Sequence, residues 1–259
     1  MIRVFVGTAA NGEDAESQAV LEYTLRRRSS LPVSITWMKL SHDPKSFWHG
    51  WNTERWATPF SAFRWGVPAA CGHSGRAIYT DSDVIFNADV AELWNQPMGG
   101  KVVLAKSGGR LCVSLWDCAA ARSFVMPLEK LKTDPASHNY MSAKAKLSVE
   151  VGVFSGHWNC LDGEHFRDLE DPEIKAIHYT DMSCQPHLRH ALPRLAASGT
   201  KHWFNGHVRR HPRPELEVLF DRLLEEAKAA GYRPENYLPA EPYGDYKKKS
   251  LTNYKGRAA

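Results

Sequence analysis

Asp81 and Asp83 stand two residues apart in the run Ile78-Tyr79-Thr80-Asp81-Ser82-Asp83-Val84-Ile85. An apolar strand leads into them, and the carboxyl edge of an open α/β sheet is where ligands bind. Two carboxylates this close repel each other unless a cation or a proton compensates. Oxygen ligands in an open, hydrated setting suit Mg²⁺ or Mn²⁺, ions that complete their shells with phosphate oxygens. The pair therefore points to a metal that holds a diphosphate. The bland alternative is an ordinary Asp-Ser-Asp turn at a strand end.

Positioning such a pair takes a sheet, and the first hundred residues alternate strand and helix signals. Residues 2–6 form a short apolar run of buried-strand composition. A turn with Gly7, Asn11 and Gly12 follows, then a helix over residues 14–28 that Asp14 can cap, with Arg26, Arg27 and Arg28 in its last turn to match the helix dipole. Ala15, Ala19, Leu21 and Leu25 lie broadly toward one side of it. Residues 33–38 read as a second strand, 59–71 as a helix interrupted near Pro68, 76–80 as a third strand, and 88–94 as a short helix; strands follow near 102–106 and 111–116. This alternation implies right-handed βαβ units. The expected fold class is α/β: a Rossmann-like, mostly parallel sheet flanked by helices, with a less regular second half. There, residues 119–131 and 136–146 look helical, 150–158 and 176–180 extended, and 214–230 helical until Gly231 stops it.

Composition bounds the function. The 259 residues are 43% hydrophobic and 24% charged, which argues for a globular chain. No stretch approaches the 18 apolar residues of a bilayer span, and the opening MIRVFVGTAA lacks the apolar core of a signal peptide. The five cysteines show no CxxC spacing, so a reduced, cytoplasmic setting is expected. The formal charge is +4, but residues 241–259 carry five bases against two acids, which leaves the rest near neutral. That argues against nucleic acid as a partner. A DxD phosphatase places its pair on the first strand, with Thr or Val two residues on; here two strands precede, and Ile85 follows.

Residues 58–94, TPFSAFRWGVPAACGHSGRAIYTDSDVIFNADVAELW, resemble the core of the family 8 glycosyltransferases. These are GT-A enzymes that include glycogenin and bacterial lipopolysaccharide galactosyl- and glucosyltransferases. The segment holds an Arg-bearing helix, a short strand, DxD, and then D-(V/I)-x-E-L-W at Asp89 to Trp94. The opening VFVGTAANGEDAESQAVLEYTLRRRSSLPVSI resembles the family's first strand, nucleotide loop and helix. Ile177-His178-Tyr179-Thr180 followed by Gln185-Pro186 is similar to its late HxxGxxKPW motif.

The resemblance implies a retaining transfer of a hexose from a UDP-sugar to an acceptor hydroxyl, in glycan or lipopolysaccharide-type biosynthesis. It implies Asp81, Asp83 and His178 as ligands of Mn²⁺ or Mg²⁺. Arg64 would reach the diphosphate or donor sugar, and Gly7, Thr8 and Ala9 would line the uridine pocket. Ser82 and Gln185 would join the nucleotide-sugar contacts, with Arg64 and Asp83 carrying catalysis. Residues 1–240 would form one GT-A domain: a nucleotide-sugar half (1–100) and an acceptor side (101–240). The partners implied are a nucleotide sugar and a glycan or glycolipid acceptor. Against the family pattern, Asp181 stands where Gly is expected, and Gln185-Pro186-His187 replaces Lys-Pro-Trp one residue late. Gln can donate to a phosphate but cannot neutralise it, so Arg64, the metal or a further base must do so. Asp181 could orient His178. Glu150 is a weak candidate for the sugar-contacting Asp-Gln pair. A non-catalytic nucleotide-sugar-binding protein of the same fold is the alternative.

Trp48, Trp51, Trp56 and Trp65 read chiefly as packing on the sheet, with stacking on an acceptor sugar as the alternative. His187, His190, His202, His207 and His211 match no standard zinc spacing and read as a polar, partly solvated segment. The basic tail, 241–259, is expected to be loose, with peripheral contact at the inner membrane face within its reach.

Overall fold

A computed structural model of the chain describes residues 1–164, 169 and 171–244. The tail from 245 onward, with the flexibility and membrane contact expected of it, lies outside them.

The β-branched and aromatic runs form a six-stranded sheet. Its members are β1 (Ile2–Gly7), β2 (Val33–Met38), β3 (Arg76–Asp81), β5 (Val103–Ser107), β6 (Arg110–Asp117) and β7 (Val151–Val153). The order is β2-β1-β3-β6-β5-β7. β1 runs parallel to β2 and β3, and β5 parallel to β7; β6 is reversed against both its neighbours. A three-stranded sheet joins β4 (Val84–Phe86), β9 (Ala176–His178) and β8 (Cys160–Leu161) in that order.

Two registers position the acidic pair. Gly7 lies opposite Asp81 in the parallel β1–β3 ladder, so both strands end at one edge. In the antiparallel β4–β9 ladder, Val84 lies opposite His178, and the Tyr179 amide donates to the Asp83 carbonyl at 3.1 Å. The turn Ser82-Asp83 is thereby held between the two sheets.

Helix α1 (Ala15–Arg28) is buried on two sides rather than one. Leu21 and Leu25 join the main core, while Ala15, Ala19 and Val20 meet Leu216, Phe220 and Leu224 of a late helix (Pro214–Ala229). That late helix begins at proline and ends before Gly231, whose φ of +92° suits glycine alone. Helix α2 (Phe63–Ala70) holds Pro68 without interruption, and α3 (Val90–Trp94) follows, capped by Asp89, which accepts the Ala91 amide at 2.9 Å. The expected helix over 119–131 is broken into α4 (Ala121–Phe124) and α5 (Leu128–Thr133), with Pro127 at the start of the second. Helix α6 (Ser137–Leu147) follows. The extended stretch expected over 150–158 is ordered as a strand only in β7; Gly156, at φ +83°, turns the chain away.

Helix α7 (Leu188–Ala197) replaces part of the solvated segment expected around the histidines. His187, His202 and His211 are 2%, 8% and 4% exposed, which corrects the expectation for these three; His190 is half-buried and His207 exposed, as a partly solvated segment should be. Trp48, Trp51 and Trp65 are buried, with Trp48 and Trp51 edge-on to Phe63 at 4.9 and 5.2 Å, as packing residues should be. Among the described residues, no helix is long and apolar enough to cross a membrane.

Candidate active site

The strand ends and α2 converge on a cleft of about 400 Å³. Asp81 is the last residue of β3, and Asp83 sits in the turn to β4. Arg64 reaches down from α2, and its Nη2 donates to both Asp81 oxygens, at 3.1 and 3.3 Å. Its Nε donates to the Ser61 carbonyl at 3.0 Å, and its guanidinium lies over the Tyr79 ring at 4.9 Å. Burial alone would lower the Arg64 pKa, but Asp81, with Tyr79 and Cys112 adding to it, holds the group well above its ordinary value. The Tyr79 hydroxyl donates to Asp81 as well. Burial, with Asp81 adding to it, holds the phenol protonated.

Asp83 is held differently. Its Oδ2 accepts from Gln185 Nε2 at 2.7 Å. Its Oδ1 is buried with no hydrogen-bond partner and lies 3.2 Å from His178 Nε2. His178 bonds Asn159 Oδ1 through Nδ1 at 3.0 Å, which leaves Nε2 as the open position aimed at Asp83. Burial would lower the His178 pKa, but the Asp83 charge raises it. An orphaned carboxylate oxygen facing an imidazole nitrogen is a slot for a proton or a cation. Carboxylate oxygens and an imidazole nitrogen, as Asp81 and His178 offer here, are donors that suit a divalent ion such as Mn²⁺; Asp83 approaches His178 but is not in the group whose ligand atoms come together with Asp81. Asn159 supplies the outer hydrogen bond that metal-binding histidines use, a role the sequence had offered to Asp181. Asp181 instead caps a local turn at Ser183 and pairs with Arg209 at 2.8 Å.

Among the described residues three clusters bring potential ligand atoms together: Asp81/Cys112/His178, Asp14/His187/His202 and Asp162/Cys184/His211. Only the first opens into the cleft. In the third, His211 accepts the Arg213 amide at Nδ1 (3.0 Å) and faces Asp162 through Nε2 (3.2 Å), so both ring nitrogens are engaged. In the second, His202 Nδ1 accepts the Phe204 amide at 2.9 Å, which puts the proton of the neutral ring on Nε2.

No protein-family model matches the chain. It is 26% identical over 206 residues to Protein CDI of Arabidopsis thaliana, covering 69% of this chain and 77% of that protein. Among solved structures it is similar to the galactosyltransferase LgtC in complex with donor and acceptor sugar analogues, with a TM-score of 0.56 and 11% identity over 94% of this chain and 98% of that one. It is also similar to GlyE of Streptococcus pneumoniae, with a TM-score of 0.54, 12% identity and coverage of 90% and 64%. The bifunctional glycosyltransferase WbbM gives 0.53 at 12% identity over 86% of this chain; the chain spans only 51% of WbbM.

The fold is GT-A. The acidic turn thus lies at the carboxyl edge of a GT-A sheet, and that edge brings Arg64, Asp81, Asp83, His178 and Gln185 together as lining residues of one cleft. Ser82 is buried between the acids; its amide donates to the Gly7 carbonyl at 3.1 Å. Gly7, Thr8 and Ala9 are not among the residues that line this cleft. Gly7 packs so close to Tyr79 and Phe60 that an added Cβ would come within 2.8 and 3.0 Å of them. Thr8 and Ala9 are buried, and Ala9 packs with Leu188, Trp203 and Phe204. Glu150 lies at the solvent-exposed start of β7, outside the cleft lining.

Cys112, His138, Ser142 and Arg110 are among the lining residues that sequence reading missed. Cys112 receives Arg64 Nη1 at 3.7 Å, and burial pushes its thiol up to about 12. His138, on α6, accepts Trp65 Nε1 at 3.2 Å; burial first, then Arg64, hold its pKa down at about 4, so it is neutral. Ser142 stands one turn further along the same helix, and Arg110 opens β6. None lies in a motif. The only local signal is the Gly108-Gly109 pair that turns β5 into β6 and sets Arg110 at the rim.

Proposed function

We propose that this chain is a metal-dependent, retaining glycosyltransferase that moves a hexose from a UDP-sugar to an acceptor hydroxyl, in glycan or lipopolysaccharide-type biosynthesis. The observation that carries the proposal is the unpartnered Asp83 Oδ1 facing the open Nε2 of His178 at the edge of a GT-A sheet. Asp81, Asp83 and His178 would hold Mn²⁺ or Mg²⁺. When bound, that ion supplies charge to the departing diphosphate.

The chain's own residues do the remaining work. Arg64, always charged and anchored on Asp81, is aimed to meet negative charge as the bond from the sugar's anomeric carbon to the diphosphate oxygen breaks. Gln185 is committed to Asp83 and the Tyr179 carbonyl, so it positions the acid rather than the phosphate. Arg110 lines the cleft and makes no ion pair among the described residues; it is the base proposed to neutralise the diphosphate where the late-motif lysine is missing. Neutral His138 and Ser142 form a polar wall suited to sugar hydroxyls. The acceptor, a glycan or glycolipid, would approach from residues 101–240, with 1–100 as the nucleotide-sugar half, in a cytoplasmic setting.

The engaged Gln185 also favours a second reading, a nucleotide-sugar sensor that binds without transfer. A UDP-release assay over a donor panel, with Mn²⁺, Mg²⁺ or chelator, separates the two. Metal-dependent release of UDP is expected. Calorimetric UDP binding without release, candidate acceptors present, would favour the sensor, and no binding at all counts against both.

A further inference from the structure

Asp14 stands at the N-terminus of α1, yet its side chain does not cap that helix. It turns back under the loop that follows β1. Its Oδ2 accepts three donors: the Ala9 amide at 2.8 Å, the Thr8 hydroxyl at 3.0 Å and the Ser82 hydroxyl at 3.3 Å. Thr8 and Ala9 belong to the loop after β1, and Ser82 separates the two acids of the turn after β3. One buried oxygen therefore ties together two segments that the sequence keeps far apart.

No cation pairs with this carboxylate among the described residues. The nearest base is His187, whose Nε2 lies 4.0 Å from Asp14 Oδ1, is buried, and has no hydrogen-bond partner. Burial holds the His187 pKa down at about 4, so the ring is neutral. Burying an unpaired carboxylate is costly. Glu16, two residues on, pairs with Arg194 of α7 at 2.7 Å, and Arg194 also donates to the Gly12 carbonyl at 2.8 Å. Arg194 holds the first turn of α1 through Glu16 and the loop through the Gly12 carbonyl; Asp14 holds the loop to the acidic turn.

We propose that Asp14 is a positioning residue that sets the spacing between the first-strand loop and the Asp81–Asp83 turn, acting as a hydrogen-bond acceptor rather than as a charge. This rests on the reading of the cleft as a nucleotide-sugar site. The acceptor claim makes a specific demand of the amide. In Asp14→Asn, the amide oxygen takes the place of Oδ2 and keeps the three donors, while the amide nitrogen faces the unpartnered His187 Nε2. Asp14→Ala instead orphans all three donors.

The test has two arms. Backbone amide exchange, read by mass spectrometry, should speed up together in residues 7–14 and 81–84 of Asp14→Ala, with the late helix (Pro214–Ala229) as protected as in wild type. In Asp14→Asn both segments should stay protected. Calorimetric titration with UDP in the presence of Mn²⁺ should weaken about tenfold or more in Asp14→Ala and recover to within about threefold of wild type in Asp14→Asn. A purely structural role would lower the melting temperature and leave both readouts of the folded protein unchanged, which overturns the proposal. Asn behaving like Ala overturns the acceptor claim. If wild type binds no UDP, the function proposed above fails while the exchange arm still decides the role of Asp14. Should Asp14→Ala not fold, Ser82→Ala removes a single link, and unchanged exchange in residues 7–14 of that variant overturns the proposal.

Discussion

Arg64 and Asp83 face the same cleft but have opposite relations to the fold. Arg64 neutralises Asp81 inside a buried network with Tyr79 and Cys112. Removing it leaves a buried carboxylate without its cation, so Arg64→Ala should cost about 3–5 kcal/mol in denaturant unfolding. Sugar transfer should fall by about a hundredfold or more. Asp83 directs one oxygen only at His178 Nε2, 3.2 Å away, and Asn can still accept from Gln185 through its amide oxygen. Asp83→Asn should therefore change stability by less than about 1 kcal/mol while abolishing both turnover and the response to Mn²⁺, measured by UDP release. Arg110 should separate from both. Arg110→Ala breaks no ion pair, so it should leave the melting temperature in place and raise KM for the donor by about tenfold. The acids were legible from their spacing at a strand end, and Arg64 from the family resemblance. Arg110, Cys112 and His138 were not, because an isolated arginine, cysteine or histidine acquires a role only from what packs around it.

At the scale of elements, the loop between β1 and α1 stores a pH dependence. Glu13 is fully buried there, and burial first, then the Asp14 charge, raise its pKa from 4.5 to about 7. The folded state therefore holds this proton more tightly than the unfolded chain does. The associated stability is present below about pH 4.5 and is lost as pH rises through about 7, amounting to about 3 kcal/mol. Glu13→Gln should flatten that slope, as read from denaturant midpoints between pH 5 and 8 in 0.15 M salt. The strands and α1 were readable because apolar runs and charged helix ends repeat at the spacing of the element itself. The burial of α1 on two sides was not, because it depends on a partner, whereas the break at Pro127 is a local proline signal that the helical reading of 119–131 passed over. The side chain of Asp14 took a tertiary hydrogen-bond role in place of the cap its position suggested.

For the whole molecule, the decisive contact is the β4–β9 ladder of the three-stranded sheet, which brings His178 beside Asp83 where the chain passes from β3 into β4. If the two acids and the imidazole form one metal site, UDP and Mn²⁺ must stabilise the protein jointly. At a hundred times Kd, the pair should raise the melting temperature by roughly 5–10 °C, with either alone giving much less; equal shifts for UDP alone and UDP with Mn²⁺ would count against a shared site. By itself, the amino-acid sequence determined the α/β alternation and the presence of an acidic turn at a strand end, because hydrophobic periodicity and turn chemistry act over a few residues. Tertiary structure alone decided that Asn159 orients His178, that Gln185 serves Asp83, and that His187, His202 and His211 are core rather than surface. Those outcomes depend on which distant surfaces exclude water from one another, and no local spacing encodes that.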